Sequence, residues 1–570
     1  MAKASAMIRY HISYGNPLSH FIKVEMKFSA KNGDSVVKLP SWRPGRYQIQ
    51  NFAKNLKNLR AFDEKGPLVV EKSSKDSWLI YGTRGEITIS YEYYAFKMDA
   101  GSSWLDEEQL YLNFINFALY VEDGMEQSHQ VNLSIPDDYK VATGLTKVTD
   151  RQFVCGSYYE LVDSPLMASA SLRRVQYEVQ QHVFNIWIQG SLAKTDEELI
   201  ADFKPFTALQ MEVMGGFPCP EYHFLVQCLP YKHYHGVEHL NSTVITIGPS
   251  EAIESGNLYY EFLGVSSHEL FHTWNVIRLR PAEMSPYDFS GENYHTTGFV
   301  TEGVTTYYGD LFLARSGVFS QEEYLAEVNK LLKRHYSNEG RKHYSVAESS
   351  YDLWLDGYEK GIPGRKVSIY NEGALAAMIL DLKIRLKTDH DKSLDDVMRL
   401  MWQWHQQKPG GYTYEDYKRA AESIYSDGLD DYFEQIINGV TPFETELEPL
   451  LEEFGLSFEL VSPEKREERD FGIRLLSHNN RHIIEDIASG SDAKSKLSRL
   501  DEVLSVNGVG FDGKWPETTD TVNLTINRFG RKVELSLEKG SEPYFEVYQI
   551  TVNAVADEEQ KQRLSNWLEA

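Results

Sequence analysis

The sequence predicts a multidomain α+β protein, and three observations carry that prediction. At 570 residues the chain is longer than one core organises, which suggests roughly three or four domains. Residues 1–175 alternate with period two: Ile22, Val24, Met26 and Phe28 point one way while Lys23, Glu25 and Lys27 point the other, and Ile87, Ile89, Tyr91 and Tyr93 repeat the pattern. That is an antiparallel β domain with one wet face. From residue 176 the texture changes, with buried-strand runs over 183–188 and 224–229, after which helical periodicity takes over.

Composition narrows the function. There are 84 acidic against 58 basic side chains, a formal charge of -26, which argues against nucleic acid or an anionic membrane as the main partner. Cys155, Cys219 and Cys228 form no disulfide framework and show no metal-type spacing. They read as ordinary reduced thiols. Residues 1–6 run into strand-like sequence without an apolar h-region, and no segment has the run of about 18 apolar residues a membrane span needs. A cytoplasmic location is the expectation, with export after removal of a leader as the alternative.

Within the β domain, residues 39–47 (Leu-Pro-Ser-Trp-Arg-Pro-Gly-Arg-Tyr) stop any regular element and hold Trp42 and Tyr47 on a stiff loop. The loop is either a structural turn or the rim of a cleft against the next domain. Further on, His233, His235 and His239 crowd together, but no helix aligns them for a metal. Glu238, on a short strand, is either a solvated edge charge or a carboxylate able to pair with a substrate ammonium.

The densest chemistry lies at 268–275, His-Glu-Leu-Phe-His-Thr-Trp-Asn. His268 and His272, at i and i+4 on one helical face, can both turn a ring nitrogen to one cation, and Glu269 between them can reach its water. Ser255 or Asn257 is placed to cap that helix. Two histidines do not hold catalytic zinc alone. No third histidine stands at the metzincin spacing, where Val276 and Arg278 fall instead. Glu302, opening a second helix in Gly298 to Asp310, is favoured as third ligand over Glu283, Asp288 and Glu292, which lie in Pro- and Gly-rich loop. Thr306 and Asp310, one and two turns beyond Glu302, are second-shell candidates or plain helix-surface residues. A His-His-Glu set favours zinc; with Glu269 moving the proton, it suits amide hydrolysis. Tyr370 begins another helix, as a packed tyrosine or as a donor to the oxyanion.

Together, His-Glu-Leu-Phe-His-Thr-Trp-Asn at 268–275, Thr-Glu-Gly-Val-Thr-Thr-Tyr-Tyr-Gly-Asp at 301–310 and Tyr-Asn-Glu-Gly-Ala-Leu at 370–375 resemble the glycyl aminopeptidase family. Pro-Ser-Trp-Arg-Pro-Gly-Arg-Tyr at 40–47 and Gly-Val-Glu-His at 236–239 also match its pattern. The resemblance implies gluzincin metallopeptidases with an N-terminal β domain (1–175), a thermolysin-like catalytic domain with a helical part (176–460) and a C-terminal PDZ domain (468–542), here followed by a strand and helix (543–570). It implies His268, His272 and Glu302 as ligands of one zinc ion per chain and Glu269 as general base. By similarity to the wider gluzincin aminopeptidases, Tyr370 becomes the oxyanion donor and Glu238 the anchor for the substrate's free amine. Glu372 stands where a lysine is common, and the interval between His272 and Glu302 is longer than in related enzymes.

The implied activity is a zinc aminopeptidase acting on peptides with a free N-terminus, with glycine or other small residues preferred. A thermolysin-type endopeptidase and a non-catalytic PDZ interaction protein with a relic peptidase domain are the alternatives. Tyr351, Asp352, Leu353, Trp354 and Tyr358 are candidate pocket walls. The amphipathic runs 322–332 and 374–386 are placed to close one side of the cleft. A charged linker at 462–469 marks a boundary. Beyond it, 471–475, 483–487 and 500–508 look like PDZ strands, with Lys496 and Leu500 in place of usual glycines. That domain offers a site for a peptide or protein ligand, or serves as a packed module. Leu564, Trp567 and Leu568 lie on one side of a final helix.

Overall fold

The computed structural model describes residues 7–254, 257–359, 361–517 and 519–569. Residues 1–6, the cap candidate Ser255 and Ala570 lie outside them. The chain divides into two compact units: Met1–Tyr324 with Tyr344–Thr441 and Ser565–Ala570, and Leu325–His343 with Pro442–Leu564. Among the described residues no helix is long and apolar enough to cross a membrane.

The first unit opens with a nine-stranded sheet whose centre is two long strands, Phe21–Lys38 and Ser77–Tyr94. Their register sets Val24 against Tyr91, Met26 against Ile89 and Phe28 against Ile87, so the alternating apolar residues share one buried face. Burying each such side chain contributes about 1.5–3 kcal/mol, which fixes the register against a one-residue slip. The expectation of a purely antiparallel domain needs correction. Ile8–Tyr14 pairs antiparallel with Phe21–Lys38 but parallel with His129–Ser134. Short-range alternation reports which face is buried and says nothing about a partner arriving through a long connection.

A small four-stranded sheet follows, including Gln109–Leu112 and Leu166–Ser169. Its Tyr111 and Met167 share a buried cluster with Leu225, Val237 and Val244 of the next sheet. That next sheet has the order Arg173–Val179, His182–Gln189, Glu221–Cys228, Ser242–Gly248, His233–His239. Its middle strands run parallel and are buried almost throughout, as a sheet covered on both faces requires. The last strand is antiparallel to its neighbour and forms the sheet edge.

Helices complete the unit. Asn257–Phe271, which carries the His-Glu motif, is held by helix Asp196–Met214 through Gln210, whose Nε2 donates to the carbonyl and hydroxyl oxygens of Ser267 at 2.9 and 3.0 Å. Phe299–Val304 is a π-helical turn that leads into helix Thr305–Arg315. Helix Asn371–Lys387 crosses that turn with glycine on glycine: a Cβ built on Gly303 would lie 2.4 Å from the Gly373 Cα. Backbones this close admit no side chain. The final residues return to this unit, where Trp567 is fully buried and its Nε1 donates to the Tyr307 hydroxyl at 2.8 Å.

The second unit contains a six-stranded antiparallel sheet, centred on Arg481–Ile487, Glu502–Val506 and Thr521–Arg528. Phe471, Ile473, Ile484, Val503, Leu524 and Leu537 form its core. Lys496 is paired with Asp492 at 2.7 Å, and Leu500 is exposed with φ of 71°.

The glycine crossing yields a test. Gly303→Ala forces backbone apart and should destabilise the first unit by about 1–3 kcal/mol, seen as a lower denaturation midpoint; an unchanged midpoint would show that the crossing has room to spare.

Candidate active site

The motif helix ends at Phe271, but His272 keeps a helical bond, its N–H donating to the His268 carbonyl at 3.3 Å. The i, i+4 spacing therefore holds where it matters. The two Nε2 atoms lie 3.0 Å apart, and Glu302 Oε2 is 3.7 Å from that of His268 and 3.4 Å from that of His272. Glu302 and His272 are buried, while His268 keeps some exposure. The structure thus brings the three predicted ligands together.

Asn275, the last residue of the motif, ties the two halves of this group. Its backbone carbonyl meets His272 Nδ1 at 2.9 Å, which makes Nδ1 the donor and leaves Nε2 its lone pair for the centre. Its side-chain Nδ2 lies 2.8, 3.3 and 2.9 Å from the Val300 carbonyl, the Thr301 carbonyl and Thr305 Oγ1. One amide therefore collects oxygens from the π-helical turn that presents Glu302. The candidates Thr306 and Asp310 do not make this link. Thr306 Oγ1 has no hydrogen-bond partner, and Asp310 Oδ1 faces Gly264, 2.9 Å from the position of a built Cβ. Val276, next in the chain, is held at φ of 89°, a strained conformation for a β-branched residue.

Glu269 and Glu238 complete the centre. Glu238, Glu269 and His272 also have ligand-type atoms within 4.8 Å of one another. Glu269 Oε1 packs on Gly236 so closely that a Cβ there would lie 2.2 Å away, and its Oε2 has no hydrogen-bond partner. Glu238 is only 5% exposed, so it is not a solvated edge charge. The loop at 39–47 covers it, since a Cβ on Gly45 would lie 2.7 Å from Glu238 Oε2. Gly45 itself sits at φ of 71°, a conformation suited to glycine. The loop is thus a cleft rim as well as a turn.

Burial pushes the Glu269 carboxyl well above its ordinary range, with Glu238 and Glu302 adding to the rise against His272. Burial also raises Glu238, opposed by His272 and reinforced by Glu302. Burial would lower His272, but Glu302, Glu238 and Glu269 outweigh it and carry the imidazole to about 10. For Glu302 burial is outweighed by His272 and by His268 beside it, and its carboxyl falls to about 2. Three buried carboxylates around two imidazoles call for a positive charge, and a divalent cation fits the His-His-Glu donor set.

Tyr370 precedes helix Asn371–Lys387 and is half-buried. Burial, then Glu302, raises its hydroxyl pKa, and it is hydrogen-bonded to Tyr358. The Tyr358 hydroxyl lies 3.4 Å from the Gly45 carbonyl, which joins the two sides of the cleft. Trp354 packs edge-on against Trp42 and Tyr47, whereas Tyr351 is exposed and stacks on Tyr294. Glu372 is buried and accepts from the Ser368 N–H at 2.9 Å, just before its own helix. Beyond Glu238, His239 borders a cavity of about 490 Å³ with Pro44, Tyr287 and Phe289 in its wall.

Two residues near the centre escaped the sequence reading. Arg43 is buried, with its Nη2 3.4 Å from His235 Nε2. His295, also buried, is close enough to Glu302 to feel its charge. The signals for Arg43 were its place between Pro40 and Gly45 in the stiff loop and the family pattern of that loop; His295 had none.

Removing the Asn275 amide frees the π-helical turn. Asn275→Ala should weaken metal affinity by about 10–100-fold, measured by competition with a chromogenic chelator. Asn275→Asp, which sets an acceptor against carbonyl oxygens, should weaken it more. Unchanged affinity in both would remove Asn275 from the role described.

Residues 9–170 match the Peptidase M61 N-terminal domain, and residues 261–376 match the M61 glycyl aminopeptidase domain. No curated protein sequence matches the chain. Its structure is similar to the crystal structure of an aminopeptidase N family protein from Idiomarina loihiensis, with a TM-score of 0.91 at 24% identity over 99% of this chain and 100% of that one. A mutant M1 zinc metallopeptidase from Deinococcus radiodurans, bound to a Tyr-Ser-Ala substrate, matches with a TM-score of 0.50 at 14% identity over 77% of this chain and 94% of that one. These two likenesses are of fold. The two domain matches enclose the loop at 40–47 and all three motifs at 268–275, 301–310 and 370–375, so the chain carries a Peptidase M61 N-terminal domain and an M61 glycyl aminopeptidase domain.

Proposed function

We propose that the chain is a zinc-dependent aminopeptidase that hydrolyses the N-terminal peptide bond. The observation that carries this reading is the burial of Glu238 on the sheet edge within reach of His272 and Glu269. A carboxylate there, beside the ligands yet not needed in a three-residue ligand set, is matched to an ammonium group. His268, His272 and Glu302 would hold the ion, one per chain, which supplies Lewis-acid polarisation of the scissile carbonyl and an acidified water. Glu269 Oε2, with no other hydrogen bond to make, takes the proton of the attacking water and returns it to the departing amine. Tyr370 donates to the developing oxyanion by turning its hydroxyl proton from Tyr358 toward it.

In the same reading the mixed sheet and the helices after it form a thermolysin-like catalytic domain (176–460). The second unit's sheet forms a PDZ-like domain (468–542) that serves as a packed module. Its Phe471-Gly472-Ile473 loop has already spent the Gly472 N–H on the Glu468 carbonyl, at 3.1 Å. Preference for glycine or other small first residues rests on the family description. A panel of first residues decides between narrow and broad specificity.

Elemental analysis should find about one zinc per chain, and peptides with free amines should be cleaved while N-acetylated ones are not. Equal cleavage of both would point to an endopeptidase. Glu269→Gln should cost about 10²–10⁴-fold in kcat with zinc retained. Glu238→Ala should cost about 10–100-fold in kcat/KM on free-amine peptides. Full activity in the Glu269 variant would sink the mechanism.

A further inference from the structure

We propose that Arg43, reaching in from the β domain, binds a carboxylate at the downstream end of the substrate, so that dipeptides with a free C-terminus are the preferred substrate class. The direction of the bound peptide rests on the aminopeptidase reading above.

Arg43 is only 3% exposed, and among the described residues no carboxylate forms an ion pair with it. Its Nη1 donates to the neighbouring Pro44 carbonyl at 3.0 Å, its Nη2 faces His235 Nε2 at 3.4 Å, and its Nε has no partner. Asp99 is close enough to feel the guanidinium charge but is itself paired with Lys97 Nζ at 2.7 Å. Burying a guanidinium without a counter-ion in contact is costly, and a bound anion is what offsets such a cost. The fork is also what bidentate carboxylate recognition uses.

The chain is shaped to hold it there. A Cβ on Gly101 would stand 1.9 Å from Arg43 Nε, so only glycine at 101 leaves room for the side chain. Pro40 and Pro44 stiffen the loop on either side. The guanidinium is therefore fixed before any ligand arrives, which lowers the entropy that binding costs.

Its position names the ligand. Strand His233–His239 is a sheet edge and can receive an extended peptide by strand addition. An amine at Glu238 and a scissile bond beside Glu269, which packs on Gly236, make the peptide run from 238 toward 235. At about 3.3 Å per extended residue, a dipeptide spans about 7 Å from amine to carboxylate. Its C-terminus then ends beside Gly236, one residue short of His235, whose imidazole Arg43 contacts.

The test compares glycyl-leucine with glycyl-leucinamide. On the zinc-loaded wild type, the free acid should have the higher kcat/KM, by about 10–100-fold, and Arg43→Gln should collapse that ratio toward one, with Arg43→Lys intermediate. Calorimetry on the zinc-loaded Glu269→Gln protein should show the same preference in Kd, independent of turnover. Equal handling of acid and amide in the wild type, or a ratio that survives Arg43→Gln in a protein with normal zinc content and melting temperature, overturns the proposal. Glycyl-aspartyl amide outbinding glycyl-leucine would move the recognised carboxylate to a side chain and overturn it too. If the glutamine variant does not fold, the wild-type ratio decides. Absence of all hydrolysis would sink the aminopeptidase reading, and the calorimetric comparison would then judge Arg43 alone.

Discussion

The centre depends on the hydrogen bonds of Asn275. A π-helical turn at 299–304 lets Glu302 face the imidazoles, but widening the helix by one residue leaves backbone carbonyls short of partners. The Asn275 amide meets two of them and Thr305 Oγ1, while its own carbonyl orients His272. One residue thus fixes both the tautomer of one ligand, through its backbone carbonyl, and the backbone that bears another, through its side-chain amide. The glycine pair 303 and 373 brings helix Asn371–Lys387 against the same turn, and with it Tyr370.

Around that core the site draws on distant parts of the first unit. The motif helix and the π-helical turn supply the ligands, the sheet edge supplies Glu238, and the loop at 39–47 closes over it with Gly45. Tyr358 and Trp354 meet the loop from the opposite side. Such a centre is dry enough for its charges to act strongly on one another. Three carboxylates crowded beside two imidazoles are tolerable there only with positive charge close by.

Local chemistry was legible because it is written in short intervals. Four residues make one helical turn, so His268 and His272 had to share a face, and period-two alternation in 22–28 and 87–93 had to bury one face of a sheet. Glu302 was reachable only by weighing carboxylates along the chain. Thr305 was missed in favour of Thr306 because its partner, Asn275, lies in another element. The parallel pairing of Ile8–Tyr14 left no mark in either strand.

What the sequence by itself determined was the identity of the candidate groups: two imidazoles, two glutamates and a tyrosine, each in a recognisable segment. What only tertiary structure decided was their environment. Glu238 could have been a solvated charge, and it became a buried carboxylate because Gly45, far away in the chain, packs against it. Arg43 looked like a loop residue until Gly101 made space for it. Spacing along a chain fixes which groups share a face, whereas burial and charge are set by neighbours that the folded chain brings in from elsewhere.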